Sequence, residues 1–260
     1  MPRSGDPSAF RASISKARLM RSTTERAHAG QLAPMHDALR LVWQQPATHR
    51  FIDVGRLTDL GEGRYGFEYT EGAHGNGFFP LSEFPDLDES YTCNSFPAFF
   101  ANRVMSSRRG SYRTYLGWLG LADVPTPMEI LARTGGSRVT DTFHVVDSFQ
   151  EHDGRRMGRF FASGISHIDG VDQRLAALHS GDVLDLRDDT TNPANPQAIL
   201  LDAHGQGEVG WVPDWLLNDV HAMRGPGSSL TIAVDQVNLD APPHLQLLCR
   251  LSAVREGHQV

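Results

Sequence analysis

From Phe143 to Val260 the chain is interrupted every few residues by glycine, proline, asparagine or aspartate, and the apolar runs between the interruptions are short. Runs of this kind predict strands, because a strand buries alternate side chains within about six residues, whereas a helix needs about ten to bury a stripe. Strands are expected near residues 143–149, 158–165, 182–188, 197–203, 207–212, 229–236 and 244–251. Pro213 opens one short helix, Trp215–Met223, which Gly225-Pro226 closes. Many short strands with one helix predict a small barrel or a curled sheet.

The first half reads differently. Ser8–Ala29 has helical propensity and carries basic residues at Arg11, Lys16, Arg18, Arg21 and Arg26, with Arg3 just before it. Leu32, Met35, Leu39, Val42 and Trp43 follow at the spacing of a short amphipathic helix ending before Pro46. Phe51–Leu57 and Arg64–Thr70, with a glycine-rich turn between them, predict a hairpin. Ser95–Met105 is a further expected helix. Thr126-Pro127-Met128-Glu129 marks a helix start, with a capping hydroxyl, a first-turn proline and a glutamate to complete the capping box, and Gly135-Gly136 ends that helix. The fold class is therefore α+β: a basic helical arm over residues 1–48, a small mixed domain over 49–142, and a β-barrel-like domain over 143–260 with one short helix.

Several classes of function find no support. No apolar run is long enough to cross a membrane as a helix, and Met1–Phe10 has charge and proline where a secretory signal needs apolar residues, so a cytoplasmic protein is expected. Cys93 and Cys249 form neither a disulfide framework nor a metal pair, and the 12 histidines include no HExxH. The tract Glu71–Gly77 is glycine-rich but lacks the GKS or GKT of a phosphate-binding loop, and no GxSxG occurs. Asp182, Asp185, Asp188 and Asp189 are spaced as solvated strand and turn residues rather than as a paired acid and base. No catalytic residue, metal or cofactor is expected, and the protein reads as non-enzymatic.

Charge is unevenly spread. Residues 1–60 carry a net charge of +4, residues 61–142 of −3 and residues 143–260 of −8. Nucleic-acid binding is driven largely by phosphate neutralisation, so any such contact in the acidic half must be local.

Phe160–Val220 resembles the HIRAN domain. The resemblance lies in the early Gly164, the leucine-spaced approach to Gly181-Asp182, the run Thr191–Ile199 with its two Asn-Pro turns, and Gly207–Pro213. It implies binding of single-stranded DNA at a 3′ end through an aromatic before the early glycine, an aromatic in the asparagine-proline loop, and polar neighbours. Phe161 matches the first aromatic, and Phe160 stands where those domains carry a basic residue. Ala194 stands where the second aromatic belongs and Asn195 where an aspartate belongs. The DNA-binding candidates so implied are Phe160, Phe161, Asn192 and Asn195, with Arg159, Arg174, His179 and Arg187 as phosphate partners.

Residues 50–142 resemble the small N-terminal subdomain of HipA-type toxin kinases, through Val54–Leu57, Arg64–Tyr69, Pro80–Pro85, Pro97–Val104 and Leu131–Gly136. The catalytic lobe of that family does not follow. Two functions stay open: a DNA-binding accessory protein that recognises single strands or 3′ ends, and a regulator that docks on a HipA-type kinase or another protein in a toxin–antitoxin or bacterial defence system.

Overall fold

The computed structural model describes residues 37–255, apart from Asn76, Val139, Thr140, Asp153 and Pro226. The basic segment Ser8–Ala29, with Arg3, lies outside the described residues. The described residues belong to one compact unit.

Strands β1 (Ala38–Gln44), β2 (Phe51–Gly61), β3 (Arg64–Tyr69), β4 (Ser90–Cys93) and β5 (Phe143–Asp147) form an antiparallel sheet in the order β4-β3-β2-β1-β5. The β2–β3 pair is the expected hairpin. Strand β1 corrects the helix expected over Leu32–Trp43, of which Leu32 and Met35 lie outside the described residues. Leu39, Leu41 and Trp43 recur every second residue and all bury in one core. The helical spacing passed over Leu41, and Val42, buried on the opposite face, supplied a false third step. Strand β5, expected to begin the barrel, instead pairs with β1, placing Val145 opposite Leu41 and burying it in the same core.

Three helices belong to this half, two of which pack into the core of the sheet, one through Phe100 and the other through Met128, Leu131 and Ala132. The helix expected over Ser95–Met105 shrinks to α1 (Ala98–Ala101), whose first amide groups donate to the Glu83 carboxylate at 2.9 Å each. Helix α2 spans Tyr112–Trp118, and α3 spans Pro127–Thr134. The capping box at α3 is complete: Thr126 Oγ1 accepts from the Glu129 amide at 3.2 Å, and Glu129 Oε2 accepts from the Thr126 amide at 2.6 Å. Gly135, at φ 71°, ends it in the left-handed conformation.

Strands β6 (Gln150–His152), β7 (Arg155–Phe161), β8 (Val183–Asp188), β9 (Ile199–Asp202), β10 (Glu208–Trp211), β11 (Ser228–Val237) and β12 (Leu247–Arg255) form the second sheet, in the order β10-β9-β8-β11-β12-β7-β6. The sheet curls until Ser163, just past β7, exchanges two backbone hydrogen bonds of 2.9 Å with Trp211 of β10. Its apolar side chains, among them Phe160, Leu184, Leu201, Val234 and Leu251, fill one core. The expected single helix is present as α5 (Leu217–Met223) after a 3-10 turn, and a second helix, α4 (Val171–Ala177), is a correction. Val171 and Leu175, four residues apart, bury the inner face of α4 behind a left-handed Gly170.

A smaller core of Leu116, Leu119, Ile130, Ala241 and Leu245 joins the two halves, with Phe161 packed against it. Polar bonds reinforce the seam. Gln236 Nε2 donates to the Gly117 carbonyl at 2.8 Å, and Asn238 Nδ2 to the Trp118 carbonyl at 2.9 Å.

Candidate functional site

The barrel contributes a wall centred on Trp211. Gly164 has φ 70°, and a Cβ there would lie 2.5 Å from the Trp211 ring, so only glycine accepts both the turn and the ring. Gly210 is equally confined, since a Cβ would lie 2.9 Å from that of Ala162 and 3.1 Å from the Ser163 carbonyl. The indole Nε1 donates to Asp189 Oδ2 at 3.0 Å. Asp189 also accepts from Asn192 Nδ2 and Thr191 Oγ1, both at 3.1 Å. These bonds, that of Trp211 foremost, hold the Asp189 carboxyl below its ordinary pKa.

The asparagine-proline loop is built by its own side chains. Asn192 Oδ1 accepts from the amides of Ala194 at 3.0 Å and Asn195 at 3.2 Å, and Asn195 Oδ1 accepts from that of Gln197 at 3.0 Å. Asn195 Nδ2 donates to Asp214 at 3.2 Å. Both asparagines are thus occupied in shaping the loop. Of the two, Asn192 lines the cleft described below, with Pro193 and Ala194 beside it.

The remaining sequence candidates separate. Phe160 is 1% exposed inside the barrel core, which removes it as a contact residue, while its neighbour Phe161 faces the cleft, as strand alternation requires. Arg159 shares the outer face of β7 with Phe161 but is paired with Asp235, Nε to Oδ2 at 2.7 Å. Arg174 and Arg187 line a shallow hollow next to the cleft, the two depressions sharing His167 and Trp211. Arg174 donates to the Asp169 and Glu208 carbonyls at 2.8 Å each, and Arg187 pairs with Glu208. His179 is exposed beside Asp182, away from these depressions.

The first half supplies the other wall. The end of α3 and the turn after it bring Arg133, Thr134, Gly136, Ser137 and Arg138 to the cleft, joined by Tyr115 of α2, Arg103, and His144 of β5. The Arg103 side chain is 1% exposed and bonded to Asp141 through both Nη atoms, at 3.2 and 2.6 Å. It also stacks on Phe99, 4.3 Å from the ring centroid. Arg133 is 7% exposed and its Nη1 has no hydrogen-bond partner. Burial, with Arg159 close by, lowers the Arg133 pKa to about 10, which leaves the guanidinium charged at neutral pH. Burial pushes the Tyr115 phenol up to about 12, so it remains a donor. Burial, assisted by Arg103, lowers the His144 pKa, and burial alone lowers that of His244, so both imidazoles are mainly neutral at pH 7.

Between these walls lies a cleft of about 1190 Å³. Phe51, Tyr115, Phe161, Trp211 and Trp215 offer it aromatic surface, and its charged lining is Arg103, Arg133, Arg138, Asp189 and Asp214. Flat apolar faces beside fixed guanidinium groups suit a ligand with planar rings and anionic links. Sequence reasoning missed Arg133, Arg138, Tyr115, His144 and Trp215. The one available signal was local: Leu131–Gly136 and Ser137-Arg138 place two arginines around a glycine pair that ends a well-capped helix. Among the described residues no group of three or more His, Cys, Asp or Glu side chains is placed to hold a metal ion, and no helix is long and apolar enough to cross a membrane.

No protein-family model and no curated protein matches this chain. Two solved structures are similar to part of it. One is a protein from Lactobacillus plantarum, at 15% identity and a TM-score of 0.32 over 39% of this chain and 99% of that one. The other is the HIRAN domain of human HLTF, at 16% identity and a TM-score of 0.30 over 40% of this chain and 78% of that one.

Proposed function

We propose that the protein is a binding protein for single-stranded nucleic acid, DNA strands or their 3′ ends, and that the cleft between its halves is the binding surface. The observation that carries this reading is the composition of the cleft. Phe161, Trp211 and Trp215 face the same space as Arg133 and Arg138. Unpaired bases stack on aromatic faces and phosphates pair with guanidinium groups, so this combination suits a single strand better than a duplex, whose bases are already stacked.

The HIRAN-like motifs support the same reading, since Gly164, Trp211 and the asparagine-proline loop all shape this cleft. Ala194 offers no stacking face, but Trp215 lies in the same lining and supplies one from a different position. The acidic character of the second half does not oppose binding here, because the arginines of the cleft come from the first half.

The test is fluorescence anisotropy with labelled single strands bearing free or phosphate-blocked 3′ ends, at about 50 and 200 mM salt, on wild type and Phe161→Ala. Binding that favours single strands over duplex and weakens about tenfold in the variant is the expected result. A preference for the free end identifies a 3′-end reader. No binding to any strand at the lower salt overturns the reading.

A further inference from the structure

Arg133 and Arg103 are both buried arginines on the same wall, yet their surroundings differ. Arg103 has a carboxylate, Asp141, that engages both Nη atoms. Arg133 Nη1 has no hydrogen-bond partner, and Asp235, Asp147 and Glu129 attract the guanidinium electrostatically without outweighing its burial. Asp235 is already engaged by Arg159 Nε at 2.7 Å and approached by Arg250 at 3.9 Å. Arg159 itself repels Arg133. A guanidinium whose burial outweighs the attraction of the carboxylates around it, and whose Nη1 has no partner, is poorly accounted for by stability and would be favoured by a nearer counter-charge.

The cleft is where that counter-charge fits. Arg133 lines it, its Nη1 unpartnered. Tyr115, Ser137 and the exposed Arg138 line the same cleft, with no carboxylate from this half among the lining. A planar guanidinium with an unpartnered Nη1, in a lining that also holds hydroxyl residues and a second guanidinium, matches a tetrahedral oxyanion.

We propose that Arg133 is the centre of a phosphate subsite contributed by the first half, which holds one phosphate of a strand whose bases lie against Phe161. This rests on the nucleic-acid reading of the cleft and makes the site a joint product of both halves.

The experiment measures single-strand affinity for wild type, Arg133→Gln and Arg133→Lys, at several salt concentrations and with single methylphosphonate linkages moved along the strand. Arg133→Gln is expected to weaken binding roughly ten- to hundredfold and to reduce the salt slope by about one. Arg133→Lys, which keeps the charge and loses the fork, should fall between. One neutral linkage should weaken wild type and leave Arg133→Gln unaffected. Melting of Arg133→Met without ligand separates recognition from support: a temperature at or above that of wild type is expected, and a large drop assigns Arg133 to the fold and overturns the proposal. If wild type binds and Phe161→Ala weakens it while both polar Arg133 variants match wild type, the subsite is overturned and the nucleic-acid reading stands. If wild type binds no strand, that reading fails. Thermal shift with inorganic phosphate then decides the subsite: a rise present in wild type and absent in Arg133→Gln retains an anion site for a smaller phosphate compound, and no rise removes it.

Discussion

The two walls of the cleft are made of different materials. The barrel wall is aromatic and acidic, with Phe161, Trp211 and Trp215 beside Asp189 and Asp214, whereas the wall from the first half brings Arg103, Arg133 and Arg138. The barrel half carries a net charge of −8 yet supplies both tryptophans of the cleft, while the first half supplies all of its arginines together with Phe51 and Tyr115. Net charge per domain is thus a poor guide when a site is shared: the field a ligand meets is set by the nearest few groups within about a Debye length.

The comparison breaks most visibly where each wall is anchored. Asp141→Ala leaves Arg103 buried and unpaired, and a loss of about 3–5 kcal/mol is expected in urea unfolding. Phe160→Ala empties the barrel core beneath the opposite wall and should also cost about 3–5 kcal/mol. If either substitution is tolerated to within about 1 kcal/mol, the wall it supports is not held as described. Phe161→Ala, one residue along β7, should instead act mainly on affinity, by about 1–3 kcal/mol, the worth of one stacked base. An equal effect of the Phe160 and Phe161 substitutions on unfolding would erase the division between core and cleft.

How much of this was legible beforehand depended on the range of the interactions. The hairpin β2–β3, the capping box at Thr126 and most of the barrel strands are encoded within a few residues, and the sequence expectation for them holds. Gly210 was legible as a point of close backbone approach, although its neighbour, Ala162, lies 48 positions earlier. Strand β1 was misread because a residue buried on each face imitates helical spacing when Leu41 is left out. The hub at Asp189 depends on Trp211, which β10 delivers from across the curled sheet. Arg133 was invisible for the same reason: its local sequence describes a helix end, and its burial with an unpartnered Nη1 exists only once α3 rests against β7.

A smaller effect sharpens the role of α3 as the carrier of the arginine wall. Thr126→Ala removes the hydroxyl that accepts from the Glu129 amide, and a loss of about 1 kcal/mol is expected in thermal or urea unfolding. Because Arg133 sits at the far end of this two-turn helix, single-strand affinity should fall with it. Unchanged affinity beside the lost stability would show that packing of Met128, Ile130 and Leu131, rather than the cap, positions the arginine.

The subtlest test concerns the acid of the barrel wall. The hydrogen bond from Trp211, followed by that from Asn192, depresses the Asp189 pKa in the folded state. A depressed carboxyl favours folding wherever it is ionised in both states, so its contribution is present above the unfolded value of about 4 and fades as pH falls through the folded value. Asp189→Asn has no charge to lose. The stability difference between wild type and variant, from urea midpoints at neutral and acidic pH, should therefore be largest near neutrality and shrink below about pH 4. The group is solvent-accessible enough that the change will be modest, and its sign is the informative part. A difference that stays constant across that range would mean that Trp211 is fixed by Gly164 and the Ser163 bridge alone, and that the acidic side of the cleft is incidental to its shape.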